Sequence, residues 1–264
     1  MKASLIISTY NWPEALKLVL KSVLHQKQMP WEVIVADDGS GEETRKLIAS
    51  FQSEFPIPLK HVWIPDEGFR KSKVLNMAYA QAKGDYLIQC DGDSIMHPFF
   101  VQDHLRYAKP QSFIQGSRVF LLPETSKGAF GQEKIYFPWT QKGIVNRLNA
   151  MRIVFMQKIL DKPEERINAV RGSNMSFWKK DFVAVNGYNE ALEGWGREDS
   201  ELAARLVHSG IKRRKLKFGG IQYHLYHKEE SRDRLTANDA ILAEVLEKKI
   251  KRCTHGIDQY TKGS

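Results

Sequence analysis

Cysteine is scarce in this chain: Cys90 and Cys253 are the only two among 264 residues. That is too few for a disulfide framework and fits a reducing compartment. No run of about 18 apolar residues occurs, so no helix is expected to cross a membrane. Met1 to Leu5 leads straight into an apolar run without the layout of a secretory leader, which makes the cytoplasm the expected location. Internal repeats and low-complexity linkers are missing, so one continuous domain over 1–264 is expected rather than two separable ones. Acidic residues are outnumbered by basic ones, 31 to 40, and the net charge of +9 implies an anionic partner: a nucleotide, a nucleic acid or an acidic lipid surface. Apolar residues are plentiful, and 42% of the chain is ample for a core.

The first half alternates strand and helix patterns. Apolar β runs are expected at Ser4–Ser8, Trp31–Ala36, Leu59–Ile64 and Tyr86–Cys90. Between them, helices are expected from Ala15 to Gln26, Glu42 to Phe55 and Lys71 to Ala82. Asn11 with Glu14 has the spacing of a capping box, and Pro13 suits a first helical turn. This alternation predicts right-handed crossovers and a parallel, doubly wound α/β sheet. After about Gln115 the rhythm changes. Ser117–Leu122 and Val170–Trp178 read as strands, Lys142–Leu160 as a basic amphipathic helix, and Lys179–Asn186 as a short helix. Glu198–Ser209 reads as a helix, Lys212–Lys217 as an edge strand and Thr236–Arg252 as a terminal helix.

Two of the strands end in acids. Asp91-Gly92-Asp93 follows the fourth strand and Asp37-Asp38-Gly39-Ser40 follows the second. In an open α/β sheet these ends form the ligand crevice. Adjacent carboxylates repel unless a cation joins them, and Mg²⁺ or Mn²⁺ takes oxygen ligands of this kind beside a substrate's phosphates. An ordinary Asp/Gly turn after a strand fits the same residues. Bare carboxylates at Asp37 and Asp38 would repel a pyrophosphate but accept hydrogen bonds from a base N–H or ribose hydroxyls; a capping acid is the simpler reading of either one. The basic run Gly68 to Asn76 is either an anion site at a helix start or a solvated face.

Gly194-Trp195-Gly196-Arg197-Glu198-Asp199-Ser200-Glu201 is the most specific string. Acids at a helix N-terminus are explained by the helix dipole; two glycines around a tryptophan are not. A flat ring beside carboxylates suits a pyranose acceptor, with stacking for the ring and a base for one hydroxyl. His224 and His227 close the set of candidates.

Together these residues resemble the family 2 glycosyltransferases of the GT-A fold. The resemblance rests on Ile6-Ile7-Ser8-Thr9-Tyr10-Asn11, the Val33 to Ser40 strand and Asp91-Gly92-Asp93, in order and spacing. Gly-Trp-Gly-Arg-Glu-Asp is similar to the acceptor-side motif of β-1,4-galactosyltransferases and bacterial chondroitin-type polymerases. The likeness covers about residues 3–228. It implies a Rossmann-like, mostly parallel sheet flanked by helices, with a nucleotide-sugar half (1–115), an acceptor and metal half (116–235) and a C-terminal helix and tail (236–264).

The roles it implies are specific. Thr9, Asn11, Asp38 and Asp37 would lie around a uridine, Lys73 near the diphosphate or ribose, and Arg171, Gly172, Ser173 and Asn174 along the donor sugar. Asp91, with Gly92, would contact the ribose or metal, and Asp93 the metal, Mn²⁺ or Mg²⁺, with His224 favoured over His227 as its partner. Asp199 would be the acceptor base, with Glu198, Trp195 and Gly196 holding the acceptor. The implied reaction is inverting transfer of a hexose or N-acetylhexosamine from a UDP-sugar to a saccharide or lipid-linked saccharide, in assembly of a bacterial surface polysaccharide or lipopolysaccharide. A second transferase domain is missing, so a bifunctional polymerase is not expected. A sugar-nucleotide nucleotidyltransferase would instead carry a Gly-rich phosphate loop where Thr9 to Pro13 stands. A nucleic-acid-binding module would not need two acidic clusters on one rim, and no nucleic acid is expected as partner. Lys142, Arg147, Arg152 and Lys158, with Ile144, Leu148, Met151, Phe155 and Ile159 on one side of the expected helix, fit either a core-facing helix or peripheral contact with an anionic inner leaflet.

Overall fold

The computed structural model describes residues 1–167, 170–228 and 233–261. The tail expected at 262–264 lies outside the described residues.

Strand and helix alternate through the first half: β1 (Ala3–Thr9), α1 (Pro13–Leu24), β2 (Glu32–Asp37), α2 (Glu42–Gln52), β3 (Leu59–Trp63), α3 (Lys71–Gln81) and β4 (Tyr86–Asp91). Next come β5 (Ser94–Met96), α4 (Phe100–Tyr107), β6 (Ser112–Gly116), β7 (Arg118–Leu121), α5 (Pro123–Gln132) and β8 (Ile144–Val145). A 3-10 turn at Arg147–Ala150 precedes α6 (Val154–Leu160), β9 (Pro163–Glu164), β10 (Asn174–Trp178) and α7 (Lys179–Ala184). The chain continues with α8 (Glu198–His208), β11 (Lys212–Leu216), β12 (Gln222–His224), α9 (Leu235–Glu247) and α10 (Asp258–Thr261).

The main sheet runs β3-β2-β1-β4-β10-β6-β11-β9. Its first four strands are parallel, as the alternation predicts, and β1 and β2 are buried along their whole length. Strands covered on both faces read as continuous apolar runs, which is why these were visible in the sequence. The sheet is not parallel throughout. β10 runs antiparallel to both β4 and β6, and β9 antiparallel to β11. β11 is therefore not the edge strand: Pro163–Glu164 covers its free side. A smaller sheet, β5-β12-β7-β8, stands beside the main one.

Two local expectations are corrected. Asn11 makes no capping box: Trp12 is the N-cap of α1, without a side-chain cap bond, and Asn11 instead sits at φ 41°. Its Oδ1 accepts from Gly41 N at 2.9 Å and its N–H donates to Ser40 Oγ at 2.8 Å, so it ties the first rim loop to the second. The helix over Lys142–Leu160 exists only as α6. Asn146 turns left-handed at φ 61°, and Arg152 leaves the surface to bind Asp103 at 2.7 Å.

A buried ion pair braces the C-terminal half. Arg205 and Glu201 are both fully buried, 2.5 Å apart, and Arg205 also donates to the carbonyls of Val185 and Gly187. Arg205→Ala would leave Glu201 as an uncompensated buried charge, and a loss of roughly 3–5 kcal/mol is expected. Chemical denaturation measures it directly; a loss below about 1 kcal/mol would mean the pair is not structural.

Candidate active site

The carboxyl ends of β1, β2 and β4 lie side by side, with Thr9 opposite Asp37 and Ser8 opposite Asp91. Because β10 runs the other way, starting with Asn174 opposite Cys90, the residues just before it reach the same rim. β12 closes the ring: His224 pairs with Ser94, and Leu225 N donates to Asp93 O at 2.9 Å.

Asp37 and Asp38 divide the work of the second loop. Asp37 is fully buried, and its carboxylate accepts from Ser40 N and meets His61 Nε2, each at 2.8 Å. Both oxygens are thus spent on shaping the loop. Asp38 accepts from Arg70 N at 2.7 Å through Oδ2, while its buried Oδ1 has no partner among the described residues. Burial pushes the Asp38 carboxyl up to about 6. An unsatisfied buried acceptor is costly, and a ligand N–H would relieve it.

Around β4 the two acids differ. Asp91 Oδ1 accepts from Ser8 Oγ at 2.8 Å and from Lys71 Nζ at 2.7 Å. Burial opposes the Lys71 charge, but Asp91, Asp199 and Glu198 around it prevail and hold its pKa well above the ordinary lysine value. Lys73, expected near a diphosphate or ribose, is not the lysine of this ion pair. Residues two apart on a helix do not share a face, and here it is Lys71 that reaches the acids. A Cβ at Gly92 would lie 2.9 Å from Ser8 O and 3.0 Å from Thr9 Oγ1, so only glycine lets β1 and this turn approach so closely.

Asp93 faces two histidines. Its Oδ2 lies 3.5 Å from His224 Nε2 and 3.2 Å from His227 Nε2, and one donor atom from each of the three residues falls within 4.8 Å of the others. Burial opposes the Asp93 charge, yet the two histidines and the Ser94 hydroxyl hold its carboxyl below the usual range. Burial also depresses His224 and favours the neutral imidazole, the form that ligates metal. The sequence left His224 and His227 as alternatives; the fold brings both to Asp93. One carboxylate oxygen and two imidazole nitrogens form a donor set that a divalent cation fits, Mn²⁺ more comfortably than the strictly oxygen-seeking Mg²⁺.

Glu198 and Asp199 open α8. Burial is the main cause raising both carboxyls, Glu198 to about 7; Asp199 and Asp91 add to the rise at Glu198, and Asp91 to that at Asp199. Asp199 is held from two sides: Tyr188 Oη donates to its Oδ1 at 3.2 Å, and the Gly172 N–H bonds it too. Gly172 has no room for a side chain, since a Cβ there would lie 2.1 Å from Asp199 Oδ1. The Tyr188 hydroxyl also reaches Gln89 Oε1 at 2.9 Å, which Tyr79 contacts as well. Arg171 N donates to Gln115 Oε1 at 2.9 Å, fixing the same turn, and Ser173 Oγ accepts from Gln222 at 3.1 Å.

Trp195 is 37% exposed between two glycines at φ 72° and 106°. Asn238 of α9, itself buried, clamps this loop by donating to Glu193 O at 3.0 Å and Gly196 O at 2.9 Å. Arg197 then takes φ 78° as the N-cap of α8, which turns Glu198 and Asp199 inward.

Sequence reasoning missed Lys71, Tyr188, Gln89 and Asn238. It also missed Arg118, whose buried Nε has no hydrogen-bond partner among the described residues and whose guanidinium lies 4.8 Å from the Phe120 ring. Burial and Arg171 depress its pKa, while Asp91, Asp93 and Asp199 oppose that, which places Arg118 among the site's charges. Lys71 sat in a basic run already noticed; Arg118 carried no local signal.

The fold agrees with the comparison to known proteins. The model of glycosyl transferase family 2 matches residues 4–159. The chain belongs to that family. A second model, the N-terminal domain of galactosyltransferase, matches residues 156–228. The glycosyltransferase is 28% identical to a chondroitin synthase of Escherichia coli, over 94% of this chain and 38% of that protein. It is also 28% identical to a hyaluronan synthase of Pasteurella multocida, over 78% of this chain and 23% of that one. The chain thus spans well under half the length of these relatives. Its GT-A fold is that of S. aureus TarS solved with UDP-GlcNAc (TM-score 0.64, 16% identity, 92% of this chain and 66% of that one). A mannosyltransferase of Pyrobaculum calidifontis, solved with GDP-Man and Mn²⁺, superposes with TM-score 0.60 at 18% identity over 86% of this chain and 58% of that one. No helix among the described residues is long and apolar enough to cross a membrane.

Proposed function

We propose that this glycosyltransferase is an inverting, metal-dependent enzyme that moves a hexose or N-acetylhexosamine from a UDP-sugar to a hydroxyl of a saccharide acceptor, in surface polysaccharide or lipopolysaccharide assembly. One observation carries the reading: a cation-ready Asp93–His224–His227 cluster and a buried Glu198–Asp199 pair are linked by charge through Lys71, Asp91 and Arg118. The relatives named for chondroitin and hyaluronan synthesis, and the neighbour solved with UDP-GlcNAc, support a UDP-sugar over other donors.

In this reading Asp38 Oδ1 accepts the uracil N–H, with Thr9 and Asn11 shaping the uridine pocket. Asp93, His224 and His227 would hold the cation; Asp91 is kept by Lys71 and Ser8 for the ribose. When bound, the cation supplies Lewis-acid stabilisation of the charge on the departing diphosphate. Arg118 adds a fixed positive charge to the same cleft. Trp195 stacks on the acceptor ring, Gly196 leaves room for it, and Glu198 holds one of its hydroxyls. Asp199 takes the proton of the attacking hydroxyl as the new C–O bond forms and the anomeric carbon–phosphate oxygen bond breaks. Base and leaving group stand on opposite faces, so an α-linked donor gives a β-glycoside.

The test is UDP release by the purified chain across a panel of UDP- and GDP-sugars, with Mn²⁺, with Mg²⁺ and with EDTA. Turnover is expected with one UDP-hexose or UDP-N-acetylhexosamine, faster with Mn²⁺ and absent in EDTA. Preference for a GDP-sugar, or pyrophosphate release from UTP and a sugar phosphate, would overturn the assignment.

A further inference from the structure

α6 presents an amphipathic face that the transfer chemistry does not use. Its seven residues are pinned inward by Gln157, which is buried and donates to Phe218 O at 2.5 Å. Outward it shows Val154, Phe155 and Ile159, exposed by 41%, 72% and 49%, and Leu148 in the preceding turn is 68% exposed. Between α6 and the end of α4 runs a groove of about 690 Å³ that Val154, Phe155 and Tyr107 line together with Arg106, Lys109 and Lys158. Its one acid, Asp161, is already paired with Arg214 at 2.6 Å. Arg106, Lys109 and Lys158 make no ion pair among the described residues. No lining residue belongs to the carboxylate–histidine cleft.

We infer that this face docks on an anionic lipid bilayer, with Phe155, Val154 and Ile159 in the headgroup layer and Arg106, Lys109 and Lys158 on lipid phosphates. Apolar side chains flanked by unpaired cations are what an interfacial helix needs. Nucleic acid would match the charge, but it gains nothing from exposed Val and Ile, since single strands want stacking rings and duplexes want phosphate and groove contacts. A second copy of the chain would bring the same cations against these ones on a molecule of net charge +9. The residues differ from those the periodicity of 142–160 suggests: Arg152 is removed by Asp103 and by its stacking 3.9 Å from the Phe99 ring, and Arg106 arrives from α4 and Lys109 from just after it.

Cosedimentation with vesicles of phosphatidylcholine alone, and of phosphatidylcholine with phosphatidylglycerol, tests this without any turnover. Binding is expected to the anionic vesicles only and to be released by high salt. Arg106→Gln and Lys158→Gln should each weaken partitioning about fivefold, the worth of one cation near such a surface. Phe155→Ser should weaken it on the order of tenfold, whereas Lys142→Gln, outside the groove, should not. All four positions are exposed, and thermal melts of each variant verify the fold. Equal recovery with neutral vesicles, wild-type binding by the groove variants, or a dimer in sedimentation equilibrium that Phe155→Ser dissolves would overturn the proposal. Donor turnover is read separately, so an active chain that ignores vesicles sinks the docking face alone.

Discussion

Asp93→Ala is expected to abolish sugar transfer and leave the fold intact. Asp93 is the sole carboxylate of the three-residue cluster, and its removal leaves two imidazoles that cannot neutralise a divalent cation. It lies after β4 with one oxygen on Ser94 Oγ and the other toward the histidines, so no core packing depends on it. Cation catalysis of this type contributes several kcal/mol, and a fall in turnover on the order of 10³ or more follows. Calorimetric titration with Mn²⁺ and UDP should show the loss at the binding step, and the melting temperature without metal should hold. His224→Ala and His227→Ala should each weaken Mn²⁺ binding, because both rings face Asp93. Full turnover of the wild type in EDTA would refute the cation assignment altogether.

Asp199→Asn is expected to cut transfer by roughly 10²–10⁴ while UDP affinity stays put. The substitution keeps shape and removes basicity. Burial, with Asp91 nearby, raises the Asp199 carboxyl, whereas Lys71, the Gly172 N–H and Tyr188 pull it back. A base must be deprotonated to act, so the ascending limb of kcat against pH should lie above the ordinary aspartate range. Tyr188→Phe deletes one donor to the carboxylate and should move that limb further up, with a smaller loss at its plateau. If Asp199→Asn weakened UDP binding but kept its turnover number, the base would have to be sought elsewhere.

The legible parts of this molecule were the local ones. β1, β2 and β4 are buried on both faces and announce themselves as apolar runs, and the acids that end them are adjacent in sequence. β5, β8, β9 and β12 are two or three residues long, too short for any period to register. α4 and α5 fall where no helix was expected. The antiparallel insertion of β10 is a decision of pairing, not of propensity. Lys71 lies in the same basic run as Lys73, and such a run does not state which member pairs with an acid; in the fold the pair to Asp91 is made by Lys71. Arg118 and Tyr188 meet the site's acids only through segments beyond their own local stretch, so nothing within a few residues could have marked that role.

The reversed course of β10 also bears on the order in which a growing chain acquires its parts. Ser8 meets Asp91 across 83 residues, and Cys90 meets Gln222 across 132. The second closure comes later, since it spends more loop entropy before a contact returns it. A nascent polypeptide that has emerged only through β6 can pair β1, β2, β3 and β4 and shape the Asp37–Asp38 loop. It does not yet own Asp199, His224 or His227. On the roles proposed above, that fragment carries the nucleotide-side loops without the base or the histidine ligands, so catalytic competence waits on α8 and β12.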